Sequence, residues 1–260
     1  PAVKTLSTFG VAKMIDLGTK MGITTWTDPS RFGLSLTLGG GEVTMIDMAV
    51  AYGTLANQGL RVDLHPILKV TDPHGKILEQ LDCCHPQPIL NPQIAYQLTD
   101  ILSDNAARSP AFGSRSVLNV PGYQVAVKTG TTQNLRDNWT IGYTPSHLVA
   151  AWVGNNDNTS MSYVASGITG ASPIWRSIFD VVLKDQPVQT FSPPADLVKA
   201  TICTFTGQLA CAGCPAKDEY FLPGTQPQAA CTPEQIDQLK QKQQDQQADR
   251  DRILTGASTP

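Results

Sequence analysis

Three β-prone runs stand close together in the middle of this chain and restrict its fold more than any other feature. They are "YQVAVKTGT" (residues 123–131), "NWTIGYT" (138–144) and "HLVAAWVGN" (147–155). The second and third are separated by Thr144-Pro145-Ser146, a connection short enough to make them antiparallel neighbours. Helical patterns lie before and after the strands.

On the N-terminal side, residues 2–18 place Val3, Leu6, Val11, Met14, Ile15 and Leu17 at a rough helical period. Residues 22–41 contain Asp28-Pro29 and Gly39-Gly40-Gly41, and read as loop with a short strand. Thr44 begins the best helix, with Asp47 placed to complete a capping box. Met45, Met48, Ala49, Tyr52, Leu55 and Ala56 form its apolar stripe, and Gly59 sits at its C-terminal turn. Residues 66–81 read as a hairpin around Asp72-Pro73-His74-Gly75. Asn91-Pro92 starts a helix whose expected buried face is Ile94, Leu98, Ile101 and Leu102. Ser172-Pro173 starts another, carrying Ile174, Ile178, Phe179 and Val182. The pattern predicts an α+β fold, an antiparallel sheet flanked by helices.

The texture changes after Lys184. Prolines at 187, 193 and 194 mark a linker, four cysteines follow, and residues 234–252 are Gln-rich and charged. That last segment has the composition of a solvated helix or a disordered tail. The expected division is a main domain over 1–186, a Pro/Cys-rich segment over 187–232 and a polar tail over 233–260.

Composition excludes some roles. A net charge of −3, with 19 Lys and Arg scattered along the chain, gives no reason to expect nucleic acid. No apolar run approaches the roughly 18 residues needed to cross a bilayer. Gly39-Gly40-Gly41 lacks the Gly-Lys-Ser/Thr of a phosphate loop and Glu42 would repel an anion, so it reads as a tight turn. The histidines, at 65, 74, 85 and 147, have no metal-ligand spacing. No cofactor and no metal are expected. Of the six cysteines, Cys83 and Cys84 are adjacent and Cys203, Cys211, Cys214 and Cys231 are clustered. An even count suits disulfides, while Cys211-x-x-Cys214 with two flanking cysteines also suits a four-cysteine zinc knot; spacing leans to disulfides and leaves the pairing open.

The chemistry is concentrated in Lys128-Thr129-Gly130. Lys-Thr-Gly on a strand is one element of a serine acyl-transfer site that also needs Ser-x-x-Lys and Ser-x-Asn. The pleat places Lys128 and Gly130 on one face and Thr129 and Thr131 on the other, so a substrate touching both sets must lie along the strand's edge. Lys128 offers a cation for a carboxylate or a hydroxyl proton. Gly130 opens the edge to an extended peptide, and the Thr131 N–H is placed for an oxyanion. Yet no serine in the chain has a lysine three places on. Ser103-Asp104-Asn105 matches Ser-x-Asn literally, but it falls at a helix end, where such residues bond locally.

The surrounding residues carry a resemblance. "AVKTGTTQNLRDNWTIGYTP", "HLVAAWVGNND", the upstream "LSLTLGGGEVTMIDMAVAYGTLANQG", "ARSPAFG" and "GITGASPIW" resemble the transpeptidase domain of class A penicillin-binding proteins, the bifunctional peptidoglycan synthases. "ICTFTGQLACAGCP" and "EYFLPGTQP" are similar to the tail many of them carry. The resemblance implies a penicillin-binding-protein/serine β-lactamase-like transpeptidase fold, incomplete at its N-terminus. It implies a serine acyl-enzyme that cross-links D-Ala-D-Ala stem peptides and is acylated by β-lactams. It also implies an upstream glycosyltransferase and membrane anchor, and a location on the extracytoplasmic face, which favours disulfides. Lys128, Thr129 and Gly130 take the third motif; Thr131 supplies the oxyanion N–H and, with Thr129, hydroxyls for the substrate carboxylate. Asp137 and Trp139 lie near the family's site and read as structural. The family's Ser-x-Asn directly precedes a segment like Pro1-Ala2-Val3-Lys4, so the two missing motifs are expected upstream and the chain alone is expected to be inactive. The competing readings are a non-catalytic wall- or partner-binding module and a β-lactamase; the long segment after Lys128 and the Cys-rich tail disfavour the latter.

Overall fold

Gly10 divides the first helical stretch. Its φ of 97° is a backbone that L side chains avoid, so the single period read over residues 2–18 folds as two helices, α1 (Ala2–Phe9) and α2 (Val11–Lys20). The computed structural model describes residues 1–82, 85–161 and 168–255, and it divides into two compact units, Pro1–Pro193 and Pro194–Pro260. Cys83 and Cys84 lie outside the described residues. In the first unit, Leu6, Ile15 and Leu36 form a small core under α1 and α2. The strand expected within residues 22–41 does not form; two short 3-10 turns, Pro29–Arg31 and Leu34–Leu38, take its place.

α3 (Met45–Ala56) begins as expected, with Thr44 Oγ1 accepting from the Asp47 N–H at 3.0 Å. The reciprocal half of the capping box is replaced by a longer tie. The buried Asp47 carboxylate accepts from the N–H and hydroxyl of Thr24, both at 3.0 Å. This anchors the rotation of α3: Val50, Ala51 and Thr54 join Asp47 on the buried side, and Met45, read as part of the stripe, is exposed. Two small antiparallel pairs follow. β1 (Leu60–Arg61) pairs with β4 (Gln87–Pro88), and β2 (Lys69–Thr71) with β3 (Ile77–Gln80), the expected hairpin.

α4 (Pro92–Ser103) is capped by Asn91, whose side chain accepts from the Gln93 N–H at 2.8 Å. Asp104 caps α5 (Asn105–Phe112), a helix without a sequence signal of its own because Pro110 sits inside it. The expected buried face of α4 is corrected: Ala95, Tyr96 and Thr99 are buried, while Ile94, Leu98 and Ile101 are exposed, Ile101 to 67%. A buried hydroxyl pair, Thr99 with Tyr143 at 2.9 Å, sets that orientation.

The sheet is β5 (Ala126–Thr131), β6 (Asp137–Tyr143) and β7 (Leu148–Gly154), antiparallel in that order. One face carries the main core, in which Val127, Val149 and Ala151 meet Ala171, Trp175 and Phe179 of α6 (Ala171–Val182). Gly142 is required there, since a Cβ would sit 2.6 Å from the Trp175 ring. Asn138 accepts from the Ala171 N–H at 2.7 Å and Thr140 bonds Ser172 at 2.8 Å, both buried. These ties rotate Trp175 into the core and leave Ile174 and Ile178, expected inside, exposed. α3 packs on the other face, where Tyr52 meets Tyr143 edge-on at 6.4 Å.

The second unit is a hairpin of β8 (Val198–Cys203) and β9 (Ala216–Phe221), followed by α7 (Pro233–Thr255). Thr232 and Gln235 form a reciprocal capping box at the start of α7 (3.0 and 3.4 Å). Disulfides join Cys203 to Cys214 and Cys211 to Cys231, and Ile236 is buried against them. The rest of α7 is polar and largely exposed over its described side chains.

Candidate active site

β5 lies at the edge of its sheet and pairs only with β6 among the described strands. Which of its backbone groups remain open follows from register. The Thr132 N–H donates to Asp137 O at 3.0 Å, and the partners step on through Gly130 with Trp139 and Lys128 with Ile141. Antiparallel pairing alternates bonded and non-bonded partners, so the N–H and C=O of Thr129 and Thr131 face the open side. Lys128 Nζ donates to Thr129 O at 2.5 Å, on that same side.

A groove of about 690 Å³ runs along this strand. Lys128 to Thr132 line it, Trp139 and Trp152 lie on the same sheet face as Lys128 and Gly130, and the loop Leu38 to Val43 completes the wall. A second cavity of about 250 Å³ is lined by Arg108, Phe112, Leu118, Val127, Lys128 and Thr129. Lys128 and Thr129 thus border both spaces, as a strand read from its edge must.

Gly130 is informative because the fold does not demand it. A Cβ there would meet only the Trp139 Cβ, at 3.5 Å, an ordinary contact. The missing side chain leaves free approach from the groove and relieves no internal crowding. Gly41 is the opposite case: a Cβ would lie 2.7 Å from Leu36 and 2.8 Å from the Trp26 ring nitrogen. The glycine run is therefore the tight turn expected, and it also lines the groove. Beside it, the backbone N–H of Glu42 and then Arg31, which pairs with the carboxylate at 2.9 Å, hold the Glu42 carboxyl below the usual carboxylate range.

Asp137 is occupied by structure. Its carboxylate accepts from Trp152 Nε1 at 3.0 Å and from the Thr132 hydroxyl at 3.1 Å, closing the β5–β6 connection. Trp139 contributes more than packing, because it lines the groove. Ser103 is likewise engaged: its hydroxyl donates to Asp100 O at 3.0 Å and accepts from Gln124 Nε2 at 3.3 Å, and Asp104 caps α5. Sequence reasoning missed Trp152 and the Leu38–Val43 loop as groove residues. The strand parity shared by Gly130, Trp139 and Trp152 was the available signal for the tryptophan.

The antiparallel sheet between helices thus carries Lys-Thr-Gly on its open edge, above a groove. Residues 2–180 match the penicillin-binding protein transpeptidase domain family, and residues 193–235 match the penicillin-binding protein 1A C-terminal domain. The chain belongs to the penicillin-binding protein transpeptidase family and corresponds to the C-terminal part of class A members. Among its relatives, penicillin-binding protein 2D of Bacillus subtilis (strain 168) is 30% identical over 235 residues, covering 88% of this chain and 33% of that protein. Penicillin-binding protein 1A of Aquifex aeolicus (strain VF5) is 30% identical, covering 89% and 31%. The solved penicillin-binding protein 1A of Haemophilus influenzae shares the fold, with a TM-score of 0.76 at 22% identity over 89% of this chain and 39% of that one. PonA1 of Mycobacterium tuberculosis in complex with penicillin V gives a TM-score of 0.61 at 28% identity, over 72% and 54%. The chain spans between about a fifth and a third of the length of the curated relatives it matches. No helix among the described residues is long and apolar enough to cross a membrane.

Proposed function

We propose that this chain forms the edge-strand wall of a serine D,D-transpeptidase site in a peptidoglycan synthase acting on the extracytoplasmic side of the membrane. The donor stem peptide lies along the open side of β5 and adds to the sheet through the outward backbone groups of Thr129. The Thr131 N–H stabilises the oxyanion of the acyl-transfer step. Lys128 biases the proton position on a neighbouring hydroxyl, and the Thr129 and Thr131 hydroxyls hold the terminal carboxylate. β-Lactams occupy the same edge; the likeness to PonA1 solved with penicillin V supports this. The nucleophile, Ser-x-x-Lys, is supplied by residues other than these 260, since no serine here has a lysine three places on. So is its Ser-x-Asn partner, because Ser103 of the literal match is held by Asp100 and Gln124 at the end of α4. The same reading divides the molecule into a transpeptidase portion over 1–186, a Pro/Cys-rich segment over 187–232 and a polar tail over 233–260.

The observation that carries this reading is Gly130, a glycine on an open edge that the fold itself would allow to be alanine. The test uses the longer protein that contains this chain. Gly130→Val and Lys128→Ala should each slow covalent labelling by a fluorescent penicillin by about 10²-fold or more, with the thermal transition unchanged. Labelling at the wild-type rate in both variants would refute the assignment and favour a non-catalytic peptide-docking role.

A further inference from the structure

The second unit has very little apolar interior. Its buried cluster is Cys203, Cys231 and Ile236, with Phe205, Cys211 and Cys214 against it. The cysteines are therefore most of its core, and they are arranged unusually for two independent cross-links. The Sγ atoms of Cys203, Cys214 and Cys231 all lie within 4.8 Å of one another, and the fourth sulfur, that of Cys211, is bonded to Cys231.

Cys211 and Cys214 bracket a tight turn. The Cys214 N–H donates to Cys211 O at 3.2 Å and Gly213 has φ 81°. A redox Cys-x-x-Cys pair bonds within its own turn. Here each cysteine instead reaches a different segment: Cys214 to Cys203 at the end of β8, and Cys211 to Cys231 just before α7. Three segments thus bring three sulfurs together, with the fourth, Cys211, one bond from Cys231, a chain order that matches the ligand topology of a tetrathiolate metal site. A tetrahedral zinc with Zn–S near 2.3 Å holds its sulfurs about 3.8 Å apart, a spacing within reach of the observed cluster.

We propose that, when its two disulfides are reduced, this cluster binds one zinc ion through Cys203, Cys211, Cys214 and Cys231. Two equivalents of a dithiol reductant deliver four electrons and four protons to the two disulfides, giving four thiols and two molecules of oxidised reductant. The metal then displaces four protons as the thiolates ligate it. Both states tie β8, the Cys211–Cys214 turn and the start of α7 together, so the metal replaces the lost cross-links. The proposal is independent of the transpeptidase reading.

The test uses the full chain with Cys83→Ser and Cys84→Ser, which leaves only the four cysteines in question. After reduction with dithiothreitol and anaerobic desalting, cobalt(II) should produce the ligand-field and charge-transfer bands of a tetrahedral tetrathiolate, saturating at one equivalent and displaced by zinc. The oxidised protein should show none, and Cys231→Ser should abolish the tetrathiolate spectrum. Zinc-loaded reduced protein should resist limited proteolysis between residues 198 and 236 as the oxidised form does, while metal-free reduced protein should be cut there. Absence of the cobalt bands, bands unchanged in Cys231→Ser, or metal uptake without protection would each overturn the proposal.

Discussion

Gly130 and Tyr143 are two residues of the same sheet with different physical roles. Gly130 has space around it that the chain itself does not use. Tyr143 is fully enclosed: burial pushes its phenol up to about 12, against the Thr99 hydrogen bond, which acts in the opposite sense. A phenol is neutral when protonated, and its folded pKa lies above the unfolded value near 10. Its contribution to stability is therefore intact below pH 10 and is lost as pH rises from 10 toward about 12, because the unfolded chain releases the proton first. Urea unfolding across that window should show the midpoint falling with pH, and the fall should be shallower in Tyr143→Phe. Parallel slopes in the two proteins would show that Tyr143 is not responsible.

The positions of α3, α4 and α6 were legible along the chain, but their rotations were not. Thr44 and Asn91 announce α3 and α4 because capping is local and the partner N–H lies two or three residues away. The turn at residues 72–75 and the short β6–β7 link are local for the same reason. Rotation is settled at long range, by Asp47 with Thr24, Thr99 with Tyr143, and Asn138 and Thr140 with the start of α6. Each helix carries more apolar residues than one buried face can hold, so periodicity alone did not select between Ile174 and Trp175. The energetic consequence is unequal. Trp175→Ala should cost about 3–5 kcal/mol by emptying a fully buried site, whereas Ile174→Ser should change stability by less than about 0.5 kcal/mol. Chemical unfolding followed by far-ultraviolet circular dichroism distinguishes the two, and equal losses would contradict the rotation of α6. The candidate site divides in the same way. Lys128 to Thr131 are contiguous and therefore visible as a motif, while the Leu38–Val43 loop and Trp152 reach the groove only through folding.

For the whole molecule, the decisive fact is that a chain covering at most about a third of its curated relatives' length carries Lys-Thr-Gly on an open strand edge along a groove and has no Ser-x-x-Lys. The one serine in a motif-like setting, Ser103, is held between Asp100 and Gln124 at the end of α4. The most direct measurement is to treat the longer protein with penicillin, digest it and locate the adduct by mass spectrometry, with the isolated 260-residue chain treated in parallel. The adduct should map to a serine followed three places later by lysine, on a peptide absent from this chain, and the isolated chain should gain no mass. An adduct on Ser103, or on any serine among these 260 residues, would contradict the account.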